Sequence, residues 1–322
     1  MVTKDTKTVF LFPGQGAQYQ GMALDLFEAG GKSVKDLFTL ASDIMGQDMA
    51  ALIRNAEADA LKRSDITQPA VTLANLASAA FLAERGITPF STAGFSLGEY
   101  AALVTSGIIG AEDCFRLVKF RGEAMQASAD RITREAGGDS NAAPGMAAVI
   151  GLPPEKVETL IAEWTAEGLS GLYGANFNSP KQVVVSGTAA ALQAASDKFK
   201  AAGARRFLPL QVAGPFHSPL IADAAEAFSP VLEKTVFKDP VIPCYSNVSG
   251  KRVKSGDEAK KLALRQITEA VRWTTEEASI VEEPIEAALE AGPGRVLQGL
   301  WRDSGNAAPC YGAGTVSEIC NL

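Results

Sequence analysis

Apolar residues recur along the chain in two rhythms, one of strands and one of helices, and the changes between them mark its parts. Thr8 to Phe12 (TVFLF) is a short apolar run closed by Pro13-Gly14, which predicts a buried strand. The next eighty or so residues are rich in Ala and Leu at helical spacing. The clearest helix there is Gln68 to Arg85, with Pro69 suited to the first turn and Gly86 to the stop. Ser91 to Phe95 then predicts a strand and Leu97 to Ser106 a helix. Ala111 to Ala127 continues helically, with Phe115, Val118 and Met125 among its apolar positions. Residues Arg131 to Pro144 are small, polar and Gly-rich, and read as a loop.

Beyond this loop, strand-length runs return. Met146–Ile150 predicts a strand, Pro154–Ala166 a helix, Gly171–Phe177 and Gln182–Ser186 two strands, Ala189–Ala202 a helix and Arg205–Gln211 a strand. The order βαββαβ is the ferredoxin-like arrangement, and it predicts a small inserted domain over 145–212. Helix and strand then alternate again: Pro219–Thr235 (helix), Pro243–Asn247 (strand), Asp257–Ile267 (helix), Ile285–Glu290 (strand) and Gly294–Asp303 (helix). Residues 1–144 and 213–322 are therefore expected to form one discontinuous α/β domain, a mostly parallel sheet between helices.

The 322 residues are 47% hydrophobic, which is ample for a packed core, and the net charge of −7 excludes a general nucleic-acid binder. The N-terminal apolar run is too short for a signal peptide, and no run of the sequence reads as a membrane span. Cys114, Cys244, Cys310 and Cys320 are scattered without metal-ligand spacing. Free thiols, no metal and a cytoplasmic location are the expectation.

Two features carry chemistry. Gly94-Phe95-Ser96-Leu97-Gly98 is a GxSxG pattern lying between a predicted strand and a predicted helix, the context of an α/β-hydrolase-like nucleophile elbow. There Ser96 stands at a helix N-terminus, where developing negative charge is favoured. A plain N-cap serine would occupy the same place, so the motif alone does not decide. A serine nucleophile needs a base, and the chain has a single histidine, His217, in the turn Gly214-Pro215-Phe216-His217-Ser218-Pro219. No acidic third member is evident, so a backbone carbonyl is the candidate to orient the imidazole.

Reading outward from these two sites, the chain resembles the malonyl-CoA:acyl carrier protein transacylase family. The resemblance is carried by Phe12 to Gln18 (FPGQGAQ), Gly94 to Tyr100 (GFSLGEY), Arg121-Gly122, and Gly174 to Gly187 (GANFNSPKQVVVSG). Further on it is carried by the histidine turn, Tyr245 to Val248 (YSNV), Val271 to Trp273 (VRW) and Gly292-Pro293-Gly294. It implies a ping-pong reaction in which Ser96, activated by His217, takes malonyl from malonyl-CoA and passes it to the phosphopantetheine thiol of acyl carrier protein. It also implies an oxyanion held by the backbone N–H groups of Gln15 and Leu97, and a His217 oriented by the carbonyl of Arg272. Arg121 would hold the malonyl carboxylate in bidentate fashion. Phe216 would crowd an α-methyl group, and Asn176 and Asn178 would line the cleft. Phe95 departs from the family's usual histidine and bears on the acyl pocket. No cofactor is implied, and a monomer is expected, with no membrane or nucleic-acid partner. Lys181, Arg205 and Arg206 are the candidate docking residues for an acidic carrier. The competing readings are a serine thioesterase or esterase, a non-catalytic carrier-binding module, and a discrete acyltransferase of a polyketide synthase.

Overall fold

The computed structural model describes residues 2–57, 60–138 and 142–322. In chain order its elements begin with β1 (Thr8–Phe12), α1 (Leu24–Ala29), α2 (Lys32–Met45), α3 (Met49–Asn55), α4 (Ser64–Glu84), β2 (Ser91–Gly94), α5 (Gly98–Thr105) and α6 (Ala111–Glu135). Next come β3 (Gly145–Ile150), α7 (Pro154–Ala166), β4 (Leu172–Ser179), β5 (Gln182–Gly187), α8 (Ala189–Ala201) and β6 (Arg206–Pro209). The chain finishes with α9 (Ala222–Lys234), β7 (Tyr245–Ser246), β8 (Lys251–Arg252), α10 (Gly256–Arg265), α11 (Trp273–Ile280), β9 (Ala287–Glu290), α12 (Val296–Asp303), β10 (Cys310–Gly312) and α13 (Val316–Cys320).

The first sheet has the order β10-β9-β1-β2 and is parallel at every recorded pairing. Its central strand explains the unbroken TVFLF run, because β1 is buried on both faces. Val9 and Leu11 pack with Trp273, Leu297 and Trp301, while Phe10 and Phe12 face the helical side with Phe81 and Phe115. The register sets Phe12 beside Gly94 and Leu11 beside Glu290, so the C-terminal ends of β1, β2 and β9 come together.

The second sheet is antiparallel, in the order β4-β5-β3-β6, which is the order a βαββαβ unit gives when its first and third strands lie in the middle. One face (Val149, Val183, Val185) packs on Trp164 of α7 and Phe199 of α8, whose rings meet edge to face at 4.7 Å. On the other face Met146, Ala148 and Val184 join the main core. Val271 ties this sheet to the rest of the chain: its N–H donates to Ala175 and its carbonyl accepts from Phe177, both at 2.8 Å.

Four expectations change. Helix α4 begins at Ser64, so Pro69 lies inside it rather than in its first turn. Helix α6 runs on to Glu135, so the loop predicted from Arg131 begins only after it. Ile132 is buried there, and Arg131 bonds to Glu135 four residues on and to Asp223, so the polar residues are a solvated helix face. Gly137 and Gly138, both at positive φ, follow the helix, and residues 139–141 lie outside those described. Helix α4 is long and apolar enough to cross a membrane, with mean hydropathy 1.3, but 78% of that stretch is buried among its neighbours in the core. The elements β8, α11, β10 and α13 have no counterpart in the sequence reading.

Candidate active site

The elbow depends on backbone approaching backbone. A Cβ on Gly94 would overlap the Gly98 carbonyl, and one on Gly98 would overlap the Phe12 carbonyl oxygen, so only glycine lets β2 turn into α5 against β1. Ser96 at the apex has φ +50°, a left-handed conformation that costs a non-glycine residue about 1–3 kcal/mol. Asn247 offsets that cost: its Oδ1 accepts the Ser96 N–H at 2.6 Å, and its Nδ2 donates to the Gly94 carbonyl at 2.7 Å.

His217, also left-handed at φ +55°, meets this serine across the cleft. The Ser96 Oγ lies 2.8 Å from His217 Nε2, and His217 Nδ1 lies 2.8 Å from the carbonyl of Gln266. A carbonyl can only accept, so Nδ1 carries the proton and Nε2 is free to take one from the serine. Arg272 does not supply that carbonyl. Its own carbonyl accepts from Glu276 in the first turn of α11, and its side chain pairs with Glu158 at the surface. Burial, and after it the charge of Arg121, lowers the His217 pKa to about 4. The imidazole is therefore neutral near pH 7, as a base must be.

Gln15 and Leu97 lie on the wall of the same cavity as Ser96 and His217. Among the described residues neither backbone N–H has a protein acceptor. The side-chain carbonyl of Gln15 accepts from Ser64, and Asn75 donates to the Pro13 carbonyl at 2.9 Å, so the loop bearing the Gln15 N–H is anchored on both sides. Leu97 follows the nucleophile at the start of α5. Two free N–H groups flanking a serine can receive a developing oxyanion.

Arg121 lines the same cavity, of about 430 Å³, from α6. Gly122 beside it lets α6 approach α4 closely, since a Cβ there would sit 2.7 Å from the Ser64 carbonyl oxygen. The guanidinium is buried, donates to Gln68 Oε1 at 2.8 Å and Gln266 Oε1 at 3.1 Å, and lies over the Tyr100 ring. Its partners are neutral amides, its Nε has no partner, and burial lowers its pKa. A buried cation without a carboxylate is costly, and this one faces an open cavity.

Phe216, Phe95, Asn176 and Asn178 line the cavity as well. Phe95 stands edge-on to Trp273 at 5.4 Å, and the Phe216 carbonyl is held by the Ser186 hydroxyl. The buried Oδ1 of Asn178 has no partner. Lys181, Arg205 and Arg206 are exposed, Lys181 next to the cavity-lining Gln182. Among the described residues no group of three or more His, Cys, Asp or Glu side chains could hold a metal ion, and all four cysteines are free.

Sequence reasoning missed the supporting polar core. Gln266 holds His217 through its main chain and Arg121 through its side-chain oxygen, while its Nε2 donates to the Ser96 carbonyl at 3.0 Å and to Glu99 at 2.7 Å. Glu99 also accepts the Asn247 N–H, and Glu276 accepts from Asn247 Nδ2. Burial pushes the Glu99 carboxyl up to about 7 and Glu276 well above the usual carboxylate range. Glu99 and Asn247 stand inside the GEY and YSNV motifs, so a signal for them was present. Gln266 had none.

Known proteins resemble this chain over most of its length. The acyl transferase domain family matches residues 9–316. The chain is 37% identical to the malonyl CoA-acyl carrier protein transacylase of Bacillus subtilis over 92% of its length and 89% of that protein's. The enzyme of the same name from Escherichia coli is 38% identical, with 92% of each chain covered. Among solved structures, a malonyl-transacylase in complex with its type II polyketide synthase acyl-carrier protein superimposes with a TM-score of 0.88 at 36% identity, covering 98% of each chain. The chain belongs to the acyl transferase family, and within it to the malonyl-CoA:acyl carrier protein transacylases.

Proposed function

We propose that this chain transfers malonyl from malonyl-CoA to the phosphopantetheine thiol of acyl carrier protein through a malonyl-Ser96 ester. The observation that carries the choice of acyl group is Arg121, a buried guanidinium bonded only to amides, in the same cavity as the Ser96–His217 pair. His217 takes the Ser96 proton, Oγ attacks the thioester carbon, and the oxyanion rests on the Gln15 and Leu97 N–H groups. Each such donor is worth about 10²–10³ in rate. Collapse releases CoA, and the carrier thiol then attacks the ester with the steps reversed. The free carboxylate of malonyl lies on Arg121 throughout, in the planar pairing that guanidinium favours. Phe216 closes the pocket against an α-methyl group.

This chemistry draws on no metal or cofactor. A monomer in the cytoplasm fits it, with 145–212 as a small domain inserted in the large one, and with Lys181, Arg205 and Arg206 meeting the acidic carrier. A polyketide carrier is the second reading for the acceptor, favoured by the complexed relative whose partner is of that kind.

Intact mass spectrometry after mixing with malonyl-CoA tests the proposal. A malonyl-sized gain, absent in Ser96→Ala and discharged by holo carrier protein, is expected. Discharge to water as fast as to carrier would select a hydrolase instead, and no adduct at all would select a carrier-binding module. Comparing fatty-acid and polyketide carriers as acceptors separates the two pathways.

A further inference from the structure

Arg121 is the only buried lysine or arginine among the described residues, and it shares a cavity with the base. Gln266 links them physically, its carbonyl on His217 Nδ1 and its side-chain oxygen on Arg121 Nη2. Resting on the malonyl reading above, we propose that Arg121 acts on the base as well as on the substrate. A carboxylate docked on its guanidinium cancels the buried positive charge facing the Ser96–His217 pair, and proton transfer to His217 is thereby released.

The charges around the pair leave Arg121 as the one the substrate can change. On α5, Glu99 is hydrogen-bonded to Gln266 and meets Arg121 only through space; burial holds its carboxyl near 7, so it is only partly ionised at neutral pH and offsets the guanidinium only in part. Glu276 on α11 is bonded to Asn247, and burial, with the nearby Glu99, pushes its carboxyl well above the usual carboxylate range. The Tyr100 hydroxyl beside Arg121 is pushed well above its ordinary range and stays neutral. On the far side of His217 a groove carries Glu158 and Arg272, which pair with each other at 3.1 Å. The backbone around Gln266 and Glu269 favours the protonated imidazole, against burial and Arg121, which oppose it. Burial is permanent. The Arg121 charge is the opposing influence that a substrate carboxylate removes.

The consequence falls on the chemical step. The Ser96 Oγ proton goes to His217 Nε2 while Oγ bonds to the malonyl carbonyl carbon. The C–S bond then breaks with its electron pair on the CoA sulfur, which takes the proton from His217. With the carboxylate in place the imidazolium formed midway no longer faces an unbalanced guanidinium. Acetyl brings no carboxylate and leaves the base suppressed. Malonyl is thus selected twice, once by binding and once by the strength of the base it meets.

Because His217 is the chain's only histidine, its imidazole NMR signals can be titrated without assignment. The protein used is the full chain carrying Ser96→Ala, which binds without reacting, with CoA, acetyl-CoA or malonyl-CoA added at saturation. The midpoint of His217 is expected to rise by about one pH unit or more with malonyl-CoA over acetyl-CoA, the size of effect an adjacent charge exerts. Ligand-free Arg121→Met in the same background is expected to show a similar rise. The ligand comparison stands by itself if that variant fails to fold. Equal midpoints with both thioesters, although malonyl-CoA binds more tightly, would overturn the coupling and leave the malonyl reading intact. Malonyl-CoA binding no more tightly than acetyl-CoA would overturn both, and calorimetry on the same samples tells the two failures apart.

Discussion

Asn247 Oδ1 accepts the backbone N–H of Ser96 at 2.6 Å, joining the strand-and-turn segment after α9 to the apex of the elbow. The same side chain donates to the Gly94 carbonyl and to Glu276, so it bridges the turn from both sides of the nucleophile. Ser96 stays left-handed because this amide over-determines it. Asn247→Ala would strand the Ser96 N–H and a buried carboxyl together, at about 1–3 kcal/mol for each unsatisfied group. We expect a stability loss of that order in urea unfolding, with a larger fractional fall in kcat than in KM because the misplaced atom is the nucleophile. An unchanged kcat in a folded Asn247→Ala protein would show that the turn holds itself.

Arg121→Ala removes the one buried lysine or arginine among the described residues, and so the one such charge that a dicarboxylic acyl group can meet in this cavity. Malonyl transfer is expected to fall by orders of magnitude, since buried groups left without their partner discriminate strongly. Acetyl transfer is expected to persist or rise, because nothing acetyl uses is lost and the charge beside His217 is gone. Parallel acyl-enzyme formation from malonyl-CoA and acetyl-CoA measures both, and an equal loss for the two would assign Arg121 a structural role.

The elbow and the histidine were legible because each carries a side-chain signature within a short span, and the single histidine left no choice of base. Arg121 was legible only through its resemblance to the family, since a lone arginine on a helix carries no sign of its depth. The carbonyl that orients His217 was misplaced onto Arg272. Every residue has a carbonyl, and which one meets the imidazole depends on how the chain leaves α10, a tertiary fact. Gln266 follows α10 and is fully buried, while Arg272 has already begun α11. The same blindness to depth turned the end of α6 into a loop, where only Ile132 among small and polar residues faces the core.

Phe216 is buried on the cavity wall, and the Ser186 hydroxyl fixes its carbonyl, so the ring has little freedom to retreat. An α-methyl branch on the acyl group would need that space. Phe216→Ser is expected to admit methylmalonyl-CoA, with the ratio of kcat/KM for malonyl over methylmalonyl falling about 10-fold or more, the scale set by a methyl group in a packed pocket. Unchanged selectivity would place the constraint elsewhere on the wall.

Stability should depend on pH through the buried carboxyl of Glu99. Burial raises it to about 7 from an ordinary value of 4.5, so the folded chain keeps a proton that the unfolded chain has released. Its contribution is full below about pH 4.5 and is lost as pH rises through 7, about 3 kcal/mol over the whole window if uncompensated. His217 works the other way: lowered to about 4, it supports the fold above its ordinary 6.5 and loses that support as pH falls toward 4. The two slopes oppose each other from about 4.5 to 6.5, and above 6.5 the carboxyl acts without opposition from the imidazole. Glu277, also raised to about 7, adds to the decline there. Urea unfolding of the wild type should show stability falling from pH 6.5 to 8. Glu99→Gln, which keeps an oxygen to accept from Asn247 and Gln266, should flatten that fall without removing the share of Glu277. An identical slope in the two proteins would mean that Glu99 is already ionised in the folded chain well below pH 6.5, paired with Arg121 rather than neutral beside it.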